Sequence, residues 1–250
     1  MARSFARQIL YEDRHLLVIN KLPGQLSQGG GFIGKAEPVG NNVVAMGAQY
    51  LGKNPYLVHR LDRPASGVLI MTKTKAAAVA LSKDLQTRKL NKRYLAVVNG
   101  HVAPRDESTH VKSLITASGG NKTVVILNDP TPSEEQSLLA RKSVKAAELS
   151  FKVLCNLSIP LHSGVKEQTV LEVQLHTGRK HQIRSQLASI GHPIVGDGKY
   201  GSPQTFRERD IALHSARTEF FHPINRTQLV SVEADVPVLW SRRFGDRYNW

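Results

Sequence analysis

The sequence predicts an α+β fold with a mixed, largely antiparallel central sheet flanked by helices and loops. Several segments alternate apolar and polar residues with the period of two that marks half-buried strands, for example residues 171–175. Two segments, residues 74–87 and 181–190, instead show helical spacing and have suitable terminal residues beside them. No internal repeat and no linker-like stretch divides the 250 residues, so a single domain is expected.

A strand pair is predicted near the start of the chain. Residues 8–11 and 15–20 are rich in apolar residues, and Glu12-Asp13-Arg14 supplies a polar turn between them. A glycine-rich loop is predicted from Pro23 to about Pro38. Its residues 29–34 match G-x-G-x-x-G, but no strand leads directly into them and no convincing helix follows, so a surface loop is favoured over a dinucleotide site.

The segment around Asp62 predicts a turn, then a buried strand, then a helix. Residues 64–67 contain proline, serine and glycine, which favour a turn, and residues 68–72 form an apolar run. Thr74 is a suitable N-cap for a helix that extends to about residue 87.

The middle of the chain predicts one further strand followed by a long irregular segment. Residues 93–98 alternate like a strand, and Asn99-Gly100 is a strong signal for a tight hairpin turn. Residues 113–143 are polar and contain paired glycines and prolines, so they are predicted to form a long, partly mobile insertion.

The second half is more regularly patterned. The strand at residues 171–175 ends at Thr177-Gly178, and the following helix has Ile183, Leu187 and Ile190 on one face. Gly191 is placed to end that helix. Two more alternating segments, residues 211–221 and 230–234, predict strands that complete the sheet.

Positive charge is the most unusual property of the composition. Lys and Arg total 34 against 20 Asp and Glu, which gives a formal net charge of +14 and a pI near 10.1. This excess favours a polyanionic partner, nucleic acid before an anionic membrane surface. Basicity that serves only solubility is the alternative, but the basic residues are clustered, and Asp84 is the only acid between Thr72 and Tyr94.

Disulfide and metal chemistry have little support in the sequence. Cys155 is the only cysteine, so an intrachain disulfide and a cysteine-based zinc site are excluded, and a reducing compartment is favoured. Four histidines that could suggest a metal follow no H-E-x-x-H pattern: His59, His176, His181 and His192. No metal is expected.

Asp62 is the strongest candidate for a catalytic residue. It lies between Arg60 and Arg63, and nearby positive charge favours the ionised form of a carboxylate. An ionised carboxylate held on a short turn can act as a nucleophile or a general base. The structural alternative is a carboxylate that only accepts hydrogen bonds from the turn.

The chain closely resembles the RluA-type pseudouridine synthases. The resemblance extends over nearly the whole chain, and the matching segments have the order and spacing of the family. They are residues 9–13 and 17–24, the aspartate loop at 59–67, the tyrosine motif at 92–96, the block at 176–184 with 191–197 and 200–201, and residues 213–214 and 221–223. Ala65 departs from the pattern, because many members have threonine there.

This resemblance implies an RNA pseudouridine synthase that needs neither cofactor nor metal. Asp62 would attack the ribose at C1′ or remove a ribose proton, Arg184 would pair with that carboxylate, and Tyr94 would stack on the uracil. Structural alternatives are a solvated helix position for Arg184 and a half-buried strand position for Tyr94. Eight residues are predicted to contact RNA: His59, Arg60, Arg63, Lys73, Lys92, Arg93, Arg179 and His181.

Ribosomal RNA, free or in a pre-ribosomal particle, is the expected partner, and the chain is expected to be monomeric outside such a particle. The alternative function is a non-catalytic RNA-binding factor for ribosome assembly that keeps the synthase fold. The basic residues at the start of the chain favour the mitochondrial matrix over the cytoplasm. No membrane association is expected, because no basic helix is strongly amphipathic.

Overall fold

A computed structural model describes residues 5–29, 41–119, 122–161, 164–206 and 210–245. The predicted glycine-rich loop lies outside the described residues from position 30 onward. Within the described ranges, none of the helices combines the length and apolar character needed to cross a membrane.

The chain divides into two compact units. The first comprises Met1–Lys92, His214–Ser241 and Trp250, and the second comprises Arg93–Leu213 and Arg242–Asn249. The prediction of one catalytic domain stays a prediction, and the two units are described separately below.

The first unit contains a sheet of six strands: β1 (Ile9–Glu12), β2 (Leu16–Lys21), β3 (Tyr56–Leu57), β4 (Ser66–Thr72), β10 (Leu213–Phe221) and β11 (Leu229–Glu233). Their order is β1-β2-β4-β10-β11, and β3 also pairs with β4. Strand β10 runs parallel to β4 through His214 and Ser215, whereas the other pairs of this sheet are antiparallel. The predicted N-terminal strand pair and the buried strand after Asp62 are confirmed.

Two helices accompany this sheet, α1 (Val43–Leu51) and α2 (Lys75–Gln86). The Thr74 hydroxyl accepts a hydrogen bond from the Ala77 amide, which confirms the predicted N-cap of α2. Leu81 of α2 belongs to a buried cluster with Val18 and Ile70 of the sheet. Helix α1 was not predicted, because its nine residues are too few to show a clear helical period beside the glycine-rich loop.

The second unit contains an antiparallel sheet in the order β5-β9-β8-β6-β7. Its strands are β5 (Asn91–Asn99), β6 (Thr109–Ser118), β7 (Lys122–Asn128), β8 (Val144–Leu161) and β9 (Gly164–Leu175). The helices are α3 (Pro132–Leu139), α4 (Gln182–Ser189) and a 3-10 turn at Gly198–Tyr200; α5 covers Val238–Phe244. The mixed, largely antiparallel α+β architecture is confirmed.

One local prediction is corrected in the second unit. Asn99-Gly100 does not form a tight hairpin, because β5 pairs with β9, far along the chain, and the next strand begins only at Thr109. Residues 113–143 were expected to be a long, partly mobile insertion; their described part consists largely of β6, β7 and α3, and the expectation of an insertion stays a prediction. Thr131 and Glu134 form a capping box at the start of α3, which explains why this polar segment can be helical.

Helix α4 lies against the sheet of the second unit through a polar side chain. Gln186 is completely buried, and its amide nitrogen donates hydrogen bonds to Val111 O at 3.1 Å and Ser113 Oγ at 2.9 Å. Ile183 and Leu187 of the same helix are also buried. These contacts fix the rotation of α4 about its axis and therefore the direction in which Arg184 projects.

Candidate active site

Asp62 lies half-buried on a tight turn that leads directly into β4. The Ala65 amide donates a hydrogen bond to the Asp62 carbonyl at 3.1 Å, which closes the turn. Two residues after Ala65, Gly67 has a φ of +108°. The predicted turn is confirmed, and it places the Asp62 carboxylate at the end of a fully buried strand.

Lys21 fastens the turn to the loop that follows β2. The Lys21 side chain is completely buried, and Nζ donates to the carbonyls of Leu22 at 3.0 Å, Gln25 at 2.9 Å and Arg63 at 3.2 Å. The two loops also bond directly, because the Gly24 amide donates to Arg63 O and Arg63 Nε donates to Gly24 O. Arg63 therefore has a positioning contact within the protein.

Ser27 holds the other side of Asp62. Its hydroxyl donates to the Leu61 carbonyl at 2.8 Å and accepts from the Leu61 amide at 3.0 Å, and both residues are buried. Residues 61 and 63 are thus each anchored through the backbone. The backbone on either side of Asp62 is held in place before any substrate binds, which is the preorganisation that a catalytic carboxylate needs.

Replacing Lys21 by methionine is expected to destabilise the first unit by roughly 2–4 kcal/mol, because three carbonyls lose the buried amine that is their common donor. Urea unfolding should show this loss. Lys53→Met, at an exposed position of the same unit, provides the control and should change the unfolding free energy by less than about 0.5 kcal/mol. Equal stabilities of the two variants would contradict the anchoring role of Lys21.

A buried histidine lies behind the same turn. The Nδ1 atom of His214 is 2.8 Å from Ser66 Oγ, and its Nε2 atom is 2.9 Å from the Ala234 carbonyl. The carbonyl can only accept, so Nε2 carries the proton and Nδ1 accepts from the serine hydroxyl. Burial lowers the pKa of His214 to about 4, against weaker opposing contributions from Ala234 and Asp235. The imidazole is therefore neutral at physiological pH.

His59 and Lys92, two of the predicted RNA contacts, are buried, and their contact with RNA stays a prediction. The Ile70 amide donates to His59 Nε2 at 3.2 Å. Burial, and secondarily the charge of Lys92, lowers the pKa of His59 to about 3. Burial also lowers the pKa of the Lys92 amine.

Stability is expected to fall when the pH is lowered from 6.5 toward 4. The folded-state pKa values of His59 and His214 lie below the ordinary value of 6.5, so below that pH the unfolded chain binds protons that the folded chain does not. Each histidine should remove about 2 kcal/mol of stability between pH 7.5 and 5.0.

Urea unfolding at these two pH values measures the effect. His214→Gln should lose less stability on acidification than the wild type, whereas the exposed position His101→Gln should behave like the wild type. An unfolding free energy that is independent of pH over this range would contradict the assignment of neutral, buried imidazoles.

The second unit carries Tyr94 and Arg184. Tyr94 is buried on β5 opposite Val173 of β9. Arg184 is buried on α4 and forms two hydrogen bonds to Asp197, from Nε to Oδ2 at 2.6 Å and from Nη2 to Oδ1 at 2.8 Å. A guanidinium has five N–H donors, so this pair is compatible with a further contact to a second carboxylate.

The remaining predicted RNA contacts occupy varied environments. Arg60 is exposed, Lys73 forms an ion pair with Glu12, and Arg93 is paired with Glu172 at 3.4 Å. Arg179 is exposed and donates from Nε to the Ala146 carbonyl at 3.1 Å, and His181 Nδ1 lies 3.0 Å from the hydroxyl of Tyr200. Direct contact of these residues and of Arg63 with RNA stays a prediction.

Sequence reasoning did not assign roles to Lys21, Ser27, Asp197 and Tyr200. Lys21 had a usable signal, because it follows Leu17 and Ile19 at the strand period of two and so falls on their buried face. Asp197 and Tyr200 lie in the matching segments at 191–197 and 200–201, but the match gave neither residue a role. Ser27 had no signal, since it lies in a loop where polar residues are ordinary. Within the described ranges, no group of three or more His, Cys, Asp or Glu residues is arranged to hold a metal ion.

Comparison with known proteins gives a consistent family match. The family model described as RNA pseudouridylate synthase matches residues 15–189. The chain is 29% identical to the ribosomal large subunit pseudouridine synthase D of Zymomonas mobilis, over 92% of this chain and 69% of the relative. It is 32% identical to the dual-specificity RNA pseudouridine synthase RluA of Vibrio vulnificus, over 86% of this chain and 78% of that protein.

Solved structures show the same fold. Human RNA pseudouridylate synthase domain containing 4 matches with a TM-score of 0.66 and 24% identity, covering 97% of this chain and 95% of that chain. Human RNA pseudouridylate synthase domain containing 1 matches with a TM-score of 0.67 and 24% identity, covering 94% of this chain and 85% of the other.

Proposed function

This chain belongs to the RNA pseudouridylate synthase family, and from that premise we propose that it isomerises uridine to pseudouridine in ribosomal RNA with Asp62 as the catalytic group. In this reaction the N1–C1′ bond of uridine breaks, the uracil rotates, and C5 bonds to C1′; C5 releases its proton and N1 takes one up. The observation that carries the assignment of Asp62 is its turn, which hydrogen bonds from the buried side chains of Lys21 and Ser27 hold on both sides.

The reaction requires two things of the protein: an ionised carboxylate near the ribose, and a binding site that holds the extracted uracil. Asp62 acts on the ribose, either by attack at C1′ or by removal of a ribose proton. Arg184 is proposed as the guanidinium partner of this carboxylate, because a planar, permanently charged fork suits a carboxylate better than lysine does. Tyr94 is proposed to hold the extracted uracil against its ring. These steps require no redox chemistry, so no cofactor is proposed.

Ribosomal RNA is proposed as the substrate class, supported by the name of the Zymomonas mobilis relative and by the net charge of +14. Charge of this size favours a large polyanion. The target base must leave the stacked helix to reach a catalytic carboxylate. A monomeric enzyme in the mitochondrial matrix or cytoplasm stays part of this proposal, and fluorescence imaging of the tagged protein would test the compartment.

Tritium release tests the function directly. Total cellular RNA labelled with tritium at uracil C5 is incubated with the purified protein, and isomerisation transfers the label to water. Fractionated ribosomal and transfer RNA then distinguish the substrate classes. Absence of release from every fraction would contradict the proposed activity and favour a non-catalytic factor for ribosome assembly. Release from transfer RNA alone would contradict the proposed substrate class.

A further inference from the structure

The partner of Arg184 within the second unit is a buried carboxylate. Asp197 is 1% exposed, and the side chain of Arg184 is 6% exposed. Two parallel hydrogen bonds, of 2.6 Å and 2.8 Å, align the guanidinium plane with the carboxylate plane. Because both charges are removed from water, the geometry of the pair is under stronger constraint than that of a surface ion pair.

The second contact of the guanidinium is an aromatic ring. Arg184 Cζ lies 5.0 Å from the centre of the Tyr200 ring, within the range of a cation–π interaction. The ring is itself held, because the Tyr200 hydroxyl accepts from the Thr123 amide at 3.0 Å and lies 3.0 Å from His181 Nδ1. Tyr200 therefore links β7, the start of α4 and Arg184.

One short turn supplies both contacts. The Tyr200 amide donates to the Asp197 carbonyl at 3.0 Å, which places the carboxylate and the ring on a single 3-10 turn. The turn follows Gly196, which has a φ of +88° and whose added Cβ would lie 2.6 Å from the Asp210 carbonyl. The close approach at Gly196 fixes where this turn begins.

We propose that Asp197 and Tyr200 are positioning residues that set the orientation of the Arg184 guanidinium for catalysis. Neither is assigned a contact with RNA. Their role is to restrict rotation of the guanidinium, so that its other N–H groups keep one direction. The inference rests on the proposed function, since it takes Arg184 to be the partner of the catalytic carboxylate.

A purely structural role and a positioning role of Asp197 lead to different expected results. If Asp197 only stabilises the fold, its replacement lowers the unfolding free energy and leaves the chemical step of the folded protein intact. If Asp197 positions Arg184, the chemical step slows while the affinity for RNA is kept. In that case the effects of substituting Asp197 and Arg184 on the rate are not additive, because Asp197 can act only through the guanidinium.

The test uses Asp197→Asn, Arg184→Lys and the double variant in single-turnover tritium release with saturating protein. Asp197→Asn should reduce the rate by at least about 10-fold, with less than about a twofold change in the dissociation constant for RNA. The double variant should be within about twofold of Arg184→Lys alone. A wild-type rate for folded Asp197→Asn, or losses that multiply in the double variant, would overturn the proposal.

Asp84→Asn is the matched control. Asp84 is also a buried carboxylate, and it accepts two hydrogen bonds from Arg226, at 2.6 Å and 2.9 Å. Its loss should lower thermal stability without changing the single-turnover rate. A rate loss in Asp84→Asn as large as that in Asp197→Asn would show that any broken buried pair slows the enzyme, which overturns a specific role for Asp197.

Substitutions of Tyr200 provide a second test of the proposal if Asp197→Asn does not fold. Tyr200→Phe keeps the ring against Arg184 and loses the hydroxyl, whereas Tyr200→Leu loses both. The rate should fall further in Tyr200→Leu than in Tyr200→Phe, by at least about fivefold. Equal rates in the two variants would overturn the role of the ring.

NMR of the guanidinium separates this inference from the proposed function. Rotation about the Cζ–Nε bond of Arg184 should be slow in the wild type and faster in Asp197→Asn or Tyr200→Leu, whether or not a substrate has been found. Unchanged rotation overturns the positioning role. If rotation is faster in the variants, as expected, but the wild type releases no tritium, the positioning role is kept and the proposed function is contradicted.

Discussion

Replacing Asp62 by asparagine is expected to reduce tritium release by at least about 1000-fold, because the amide can neither attack C1′ nor accept a ribose proton. The substitution conserves shape and volume. The turn should survive, since the hydrogen bond from the Ala65 amide to the Asp62 carbonyl is kept. The hydrogen bonds of Lys21 to the Arg63 carbonyl and of Ser27 to the Leu61 backbone do not use the Asp62 side chain. The loss should therefore appear in the rate and not in the stability.

Asp106→Asn is a suitable control for this experiment. Asp106 is exposed, and its replacement changes the net charge by the same amount. Single-turnover rates, RNA affinity and urea unfolding are measured for both variants. Asp106→Asn should match the wild type in all three. Tritium release by Asp62→Asn within about tenfold of the wild-type rate would rule out this carboxylate as the catalytic group.

The same variant distinguishes catalysis from scaffolding. In cells that lack the wild-type protein, Asp62→Asn should restore ribosome assembly if the RNA-binding surface alone is needed, and should fail to restore pseudouridine. Mapping pseudouridine in these cells also identifies the modified site. An enzyme can serve both purposes, so the measurement assigns each effect separately.

Replacing Gly67 by alanine is expected to have the largest effect on folding, a loss of more than about 4 kcal/mol. A Cβ at this position would lie 2.2 Å from the Ser215 carbonyl oxygen and 2.6 Å from its amide nitrogen. Both atoms belong to β10, which is paired with β4 at this point, so the backbone cannot move away without separating the strands. The φ of +108° adds strain for any residue with a Cβ.

Gly52→Ala separates these two contributions. Gly52 ends α1 with a φ of +69°, and a Cβ added there would have no other atom within 4 Å. Alanine at this position should therefore lose only about 1–2 kcal/mol through backbone strain. Urea unfolding of both variants tests the difference. A Gly67→Ala protein as stable as Gly52→Ala would show that β4 and β10 can separate with little loss of free energy.

Gly67 also connects folding to the candidate active site. The close approach of β4 and β10 aligns Ser66 with His214, and the two side chains form a buried hydrogen bond of 2.8 Å. Asp62 lies at the entrance to the same strand. A substitution that separates β4 from β10 should therefore also alter the conformation of the Asp62 turn, even in variants that retain most of their secondary structure.

Short-range features of the fold were readable from the sequence because their physical causes are local. Thr74 caps α2 through a hydrogen bond to an amide three residues away. Alternation places Val173 on the buried face of its strand. The turn at Asp62 follows from Pro64 and its neighbours. The order of the motifs also identified the family, since each motif is a contiguous stretch of residues.

The tertiary structure alone decided which polar residues are buried and which strands pair. Asn99-Gly100 has the local preference of a hairpin, but β5 pairs with β9, where Val97 and Leu171 are completely buried. His59 and Lys92 are interior residues although their side chains are polar. The contact of Arg184 with Asp197 and Tyr200 joins a helix to a separate turn, and no periodicity encodes such a contact. Side-chain environment depends on residues distant in the chain, whereas propensity and capping depend on neighbours.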